Sequence, residues 1–94
     1  MATTTFEAVR AEALFVSHLQ CSQAPRGDEV RSAVAATLRR MGIKGCAAQV
    51  AGEFGDHPET AVARMAWALA TVRSTYPANR RSRAVRRVQS PVAA

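Results

Sequence analysis

Apolar side chains recur along this chain every three or four residues in four stretches and nowhere alternate with period two, which predicts helices and no strands. The first stretch covers about Thr5 to Gln20, with Thr4 and Glu7 at the spacing of a reciprocal capping box. Phe6, Val9, Ala13 and Val16 share one side of it, whereas Phe15 and Leu19 point elsewhere, so this helix is apolar on more than one face. Past a loop holding Pro25 and Gly27, Asp28 is the expected cap of a second helix running to about Met41. Val30, Val34, Leu38 and Met41 form its inner stripe; Arg31, Arg39 and Arg40 lie off that line, and Gly42 is the expected stop. Ile43, Ala47, Val50, Ala51 and Phe54 then predict a short third helix over about Gly45 to Phe54, ended by Gly55. Asp56, His57 and Pro58 open a fourth, in which the missing N–H of Pro58 costs nothing and Glu59 faces the positive helix end. It runs to about Thr75, with Val62, Met65, Leu69 and Val72 as the expected inner stripe and Tyr76 and Pro77 closing it.

The pattern therefore predicts an all-α fold: a compact four-helix domain over residues 1–76, with a C-terminal tail over residues 77–94. A chain of 94 residues holds one core, and that core is short of bulk, because alanine supplies 20 of the 45 hydrophobic residues. Alanine favours helix and lets helices approach closely, but it buries little area. Association with a partner or a second copy would add area, so homodimerisation is one expectation.

Charge changes the picture by where it lies. Of the net +6, five charges come from Arg80, Arg81, Arg83, Arg86 and Arg87 in a tail without acids, leaving 6 − 5 = +1 on residues 1–76. A basic tail suits nucleic acid or an acidic protein surface, and equally a solvated arm that only aids solubility. Twelve of the thirteen basic residues are arginine, the bias of a GC-rich genome such as an actinobacterial one. With no basic segment leading into an apolar run and no stretch of membrane-spanning length, the expected location is cytoplasmic, with Cys21 and Cys46 as reduced thiols.

The stretch Gly45 to Trp67 resembles a helix-turn-helix, with Ala51 as the small crossing residue and Gly55 as the turn glycine. In strict spacing the next apolar positions would be Ala61 and Arg64; a turn one residue longer moves them to Val62 and Met65, and that register is the one adopted here. The resemblance implies DNA as partner, in transcription regulation or nucleoid architecture, with His57, Thr60 and Arg64 at the groove-facing start of the fourth helix. Arg64 would read guanine in bidentate fashion and Thr60 would meet phosphate or a thymine methyl, while Glu59 would oppose phosphate. The plainer alternative leaves Arg64 solvated. The same stretch is similar to small Ala- and Arg-rich actinobacterial proteins of no assigned function.

Trp67 lies about 140° from Val62 on the helical wheel, off the expected inner stripe. Together with Phe15 and Leu19 it marks a candidate interface for a protein partner, either a transcription component or a second copy. RNA is a third partner class that the tail would suit. His18, Cys21, Cys46 and His57 supply the count for a zinc site without the spacing of a common zinc module, so no metal and no cofactor are expected. No phosphate loop or nucleophile turn is present, and the acids sit mainly at helix starts, which argues against an enzyme.

Overall fold

The computed structural model describes residues 4–76. Within them the chain is all-helical, in three α-helices and one short 3-10 turn: α1 Thr4–Val16, the turn Cys21–Gln23, α2 Gly27–Asp56 and α3 Pro58–Thr75. Each helix packs on the other two. No helix among the described residues is long and apolar enough to cross a membrane.

Several boundaries differ from expectation for local reasons. Thr4 is already helical rather than the residue before the helix. At α2 the cap is Arg26, whose N–H donates to the Glu29 carboxylate at 2.7 Å, so Asp28 lies inside the first turn instead of preceding it. The Arg26 guanidinium beside Asp28 holds that carboxyl below its usual range.

The second and third expected helices form one assigned element, α2, but the break placed at Gly42 is present inside it. Gly42 takes φ 76° and ψ 168°, which interrupts the helical backbone and redirects residues 43–56. Only glycine reaches such a conformation without strain from a Cβ. Gly55, by contrast, remains helical, and α2 continues to Asp56. The turn into α3 is a single residue, His57, at φ −138° and ψ 64°. Its N–H donates to the Glu53 carbonyl at 2.7 Å while its carbonyl accepts from Ala61 N–H at 2.9 Å, so one residue closes α2 and opens α3. A one-residue connection with an exposed Ala51 is shorter than the helix-turn-helix geometry expected, and it lacks the buried small crossing residue.

The core is as thin as the composition implies: five of the thirteen buried apolar residues are alanine. Ala11, Ala13, Leu14 and Phe15 of α1 meet Val30, Ala33, Val34, Cys46 and Val50 of α2 and Ala61, Ala68 and Val72 of α3. The stripe of α3 is thus rotated from the expected one. Val72 is buried and Met65 and Leu69 are half-buried, but Val62 is 59% exposed and Ala61 takes the inward place. Alanine at the contact lets α3 approach α1 closely, and that proximity outweighs the burial of one extra valine.

The two glycines of α2 separate conformation from space. A Cβ on either Gly42 or Gly52 would meet no atom within 4 Å. Gly42→Ala should nevertheless lose about 1–2 kcal/mol through backbone strain, whereas Gly52→Ala in regular helix should gain about 0.5–1 kcal/mol. Urea unfolding of the two variants checks the opposite signs.

Candidate functional site

The C-terminal end of α1 is held by a side chain from another helix. A helix leaves its last four carbonyls without intrahelical partners, and here several of them are packed inside the bundle. Arg64 of α3 answers two of them and two carbonyls just past the helix end: its Nε donates to the Phe15 carbonyl at 2.7 Å, and its Nη2 donates to the carbonyls of Leu14, Ser17 and Leu19 at 3.3, 3.0 and 2.8 Å. Ser17 completes the cap, its Oγ donating to the Leu14 carbonyl at 2.7 Å and accepting from Leu19 N–H at 3.3 Å. The guanidinium is stacked as well as bonded, with Cζ 4.9 Å from the Trp67 ring and 5.7 Å from that of Phe15. A cation at the negative end of a helix dipole adds to the attraction. Burial weakens the hold of Arg64 on its proton, but an arginine starts so high that it stays charged at neutral pH.

Beside this node lies an open cleft of about 290 Å³, lined by Gln20, Gln49, Glu53, Thr60 and Arg64 among others. Arg64 lines it at the edge, but the fork of its guanidinium is turned to α1 rather than outward as the groove reading required. His57 and Thr60 are exposed near the same cleft, and the Thr60 hydroxyl already donates to the His57 carbonyl at 3.1 Å. The outward surface at the start of α3 carries Glu59, Val62 and Ala63, with no cation among them.

Phe15 and Leu19 are not at the surface. They are 5% and 8% exposed, Phe15 stacked on Phe54 with centroids 6.1 Å apart. The reason is that α1 stops at Val16, so Leu19 lies in the following loop and joins the core, and α2 and α3 between them cover both apolar faces of α1. Trp67 is half-buried against the core, under the Arg64 guanidinium. Among the described residues the exposed large apolar ones are instead Phe6, Ile43 and Val62.

Of the four zinc candidates, His18, Cys21 and His57 are exposed and Cys46 is buried. No three His, Cys, Asp or Glu side chains converge on a metal position among the described residues. Burial pushes the Cys46 thiol above its ordinary range, and Glu12 adds to the shift.

A second cluster, which sequence reasoning missed, forms where α3 ends. Arg10 of α1 stands over the Tyr76 ring at 4.2 Å and over Phe6 at 5.9 Å. Arg73 donates to the Glu7 carboxylate. Arg31 of α2 reaches the same end, alongside Gly27 and Thr75, and its field, like that of Arg10, opposes the upward push of burial on the Tyr76 hydroxyl. These residues come from three separated stretches of the chain, around 6–10, 31 and 73–76; the one signal available was the spacing of Phe6 and Arg10, one helical turn apart. Arg80, Arg81, Arg83, Arg86 and Arg87 lie outside the described residues. No family model, curated protein or solved structure matches this chain.

Two measurements test this geometry. Arg64→Met, which keeps length but removes every donor, should lose about 2–4 kcal/mol on urea unfolding, since the part-buried carbonyls of Phe15, Ser17 and Leu19 lose this donor and an unsatisfied buried group costs about 1–3 kcal/mol; Arg64→Lys, lacking the fork, should recover only part. An Arg64→Met domain as stable as the parent would sink the cap. Alkylation of the native protein near pH 8 should modify exposed Cys21 and spare Cys46 until denaturant is added, which intact-mass spectrometry reads directly.

Proposed function

We propose that this protein binds DNA through its phosphates, using the arginine-rich segment 80–87 together with the cations at its root. The observation that carries this reading is the convergence of Arg10, Arg31 and Arg73 from three helices on the end of α3. Five arginines without an acid follow directly in sequence. Arg31, Arg39, Arg40 and Lys44 of α2 are also exposed, spread around the helix, and no acid occurs between Glu29 and Glu53. Phosphate contact of this kind confers affinity and orientation rather than sequence choice.

The start of α3 is a poorer candidate for the groove than the arm is for the backbone. Arg64, the one side chain there suited to guanine, bonds to α1, and Glu59 would meet phosphate with like charge. The reading supported here is accordingly architectural or accessory binding, with regulation of transcription as one setting for it. For a protein partner or a second copy, the exposed Phe6, Ile43 and Val62 are the available apolar contacts, since Phe15 and Leu19 are in the core.

Titration of a duplex of about 20 base pairs at several salt concentrations is the test. Each phosphate neutralised contributes about −0.9 to the slope of log K against log salt. Replacing Arg80, Arg81, Arg83, Arg86 and Arg87 together by Gln in the full chain should flatten that slope by about 3–4 and weaken binding at low salt by at least tenfold. Binding that ignores both salt and the replacement, or no binding even at low salt, would refute the proposal.

A further inference from the structure

We propose that the preferred ligand is an unpaired nucleic-acid strand, one of whose bases stacks on Phe6 while the neighbouring phosphates lie on Arg10 and Arg31. The inference rests on the nucleic-acid reading above and narrows it to a strand with free base faces. Among the described residues Phe6 is the most exposed of the large apolar ones, at 66%. Left in water, such a ring forfeits about 1.5–3 kcal/mol that burial would give, and the thin core could have used it. Arg10, one turn further along α1, stands between Phe6 and Tyr76 and holds the edge of the patch by contact with both rings. A guanidinium can take one face of Phe6 at most, which leaves aromatic surface open beside a fixed positive charge.

The chemistry of this surface selects among occupants. A duplex hides its base faces in the stack and offers this patch only backbone, so an exposed ring gains nothing from it. An unpaired strand offers both, phosphate to the arginines and a π-face to Phe6, and every base has such a face. A second copy meeting this patch by two-fold symmetry would set Arg10, Arg31 and Arg73 against their own counterparts. Glu7, the carboxylate on α1 next to Phe6, already accepts from Arg73, which reduces its repulsion of an incoming phosphate.

The experiment is fluorescence anisotropy of the full chain with an oligothymidylate and with a duplex, each about 20 nucleotides long, for the parent and for Phe6→Ala, Phe6→Leu and Phe6→Trp. Circular dichroism monitors folding, which substitution at so exposed a position should preserve. Losing one base–aromatic stack should weaken oligothymidylate binding by about 5-fold to 150-fold in Phe6→Ala. Phe6→Leu should lose nearly as much, Phe6→Trp should match or exceed the parent, and duplex affinity should move less than about twofold. Equal losses on both DNAs, no loss on either, or full rescue by Leu would overturn the stacking assignment while leaving phosphate binding in place. A parent protein that binds neither DNA would overturn the nucleic-acid reading itself. A fall in the sedimentation mass of DNA-free protein on Phe6→Ala would assign the ring to contact between copies and likewise reject the proposal.

Discussion

An α-helix that ends inside a small bundle brings carbonyl groups with it, and those groups need donors. In this protein α1 stops at Val16, its final turn is covered by α2 and α3, and the donor that reaches the carbonyls is the guanidinium of Arg64. The arrangement ties α3 to α1 at a fixed rotation, because a planar fork satisfies several carbonyls only from one direction. With that rotation set, Ala61 and Ala68, one turn before and after Arg64, must also face inward, and Val62 must face out. The burial pattern of α3 thus follows from a polar requirement as much as from an apolar one. Trp67 packs against the guanidinium, its ring 4.9 Å from Cζ, and so helps to hold the fork in place.

The composition makes such a polar tie matter. Alanine contributes close backbone approach but few methylenes, so the transfer energy of this core is small for its length. What apolar bulk exists is concentrated where α1 meets the other two helices, at Leu14, Phe15 and Leu19 with Val30, Val50, Phe54 and Val72. Gly42 belongs to the same economy of space. A straight helix of 30 residues would run about 45 Å, longer than either of its neighbours can cover, and the interruption at Gly42 turns its second half back onto α1.

Much of this was legible in the chain. The helical period, the pause at Gly42, the start at His57–Pro58 and the end at Thr75–Tyr76 are set by local chemistry, and local chemistry is what a sequence displays. The placement of Arg64 was not, because its partners are backbone carbonyls 45 to 50 residues away, and a carbonyl carries no residue identity. A trace of it existed: Ala61, Arg64 and Ala68 share one helix face, and an arginine on an alanine stripe is aimed inward. Preferring Val62 and Met65 as the larger apolar pair hid that face and turned Arg64 outward. The same preference for bulk made Phe15 and Leu19 look surplus to one surface, when two helices were present to cover two surfaces. Gly55 misled for a different reason: a glycine can stay helical, and the chain leaves the helix only at His57, two residues later. The cluster around Tyr76 depends wholly on which helix ends meet, which no local pattern encodes.

The bundle keeps its arginines in two populations with separate duties. Arg64 is spent inward, at the start of α3, and Arg10, Arg31 and Arg73 gather at its finish, roughly 15 Å further along the axis at 1.5 Å per residue. The folding-critical cation sits at one end, while at the other Arg10 stacks on Tyr76 and Arg73 pairs with Glu7, so a change at the second end need not disturb the first. That division matters in a domain with a thin core, where disruption of the Arg64 cap by a ligand would cost a large part of the stability. It also explains why the exposed aromatic is Phe6 and not Phe15: the ring beside Arg64 is committed to shielding carbonyls, and the ring beside Arg10 is left over at the end where basic charge accumulates.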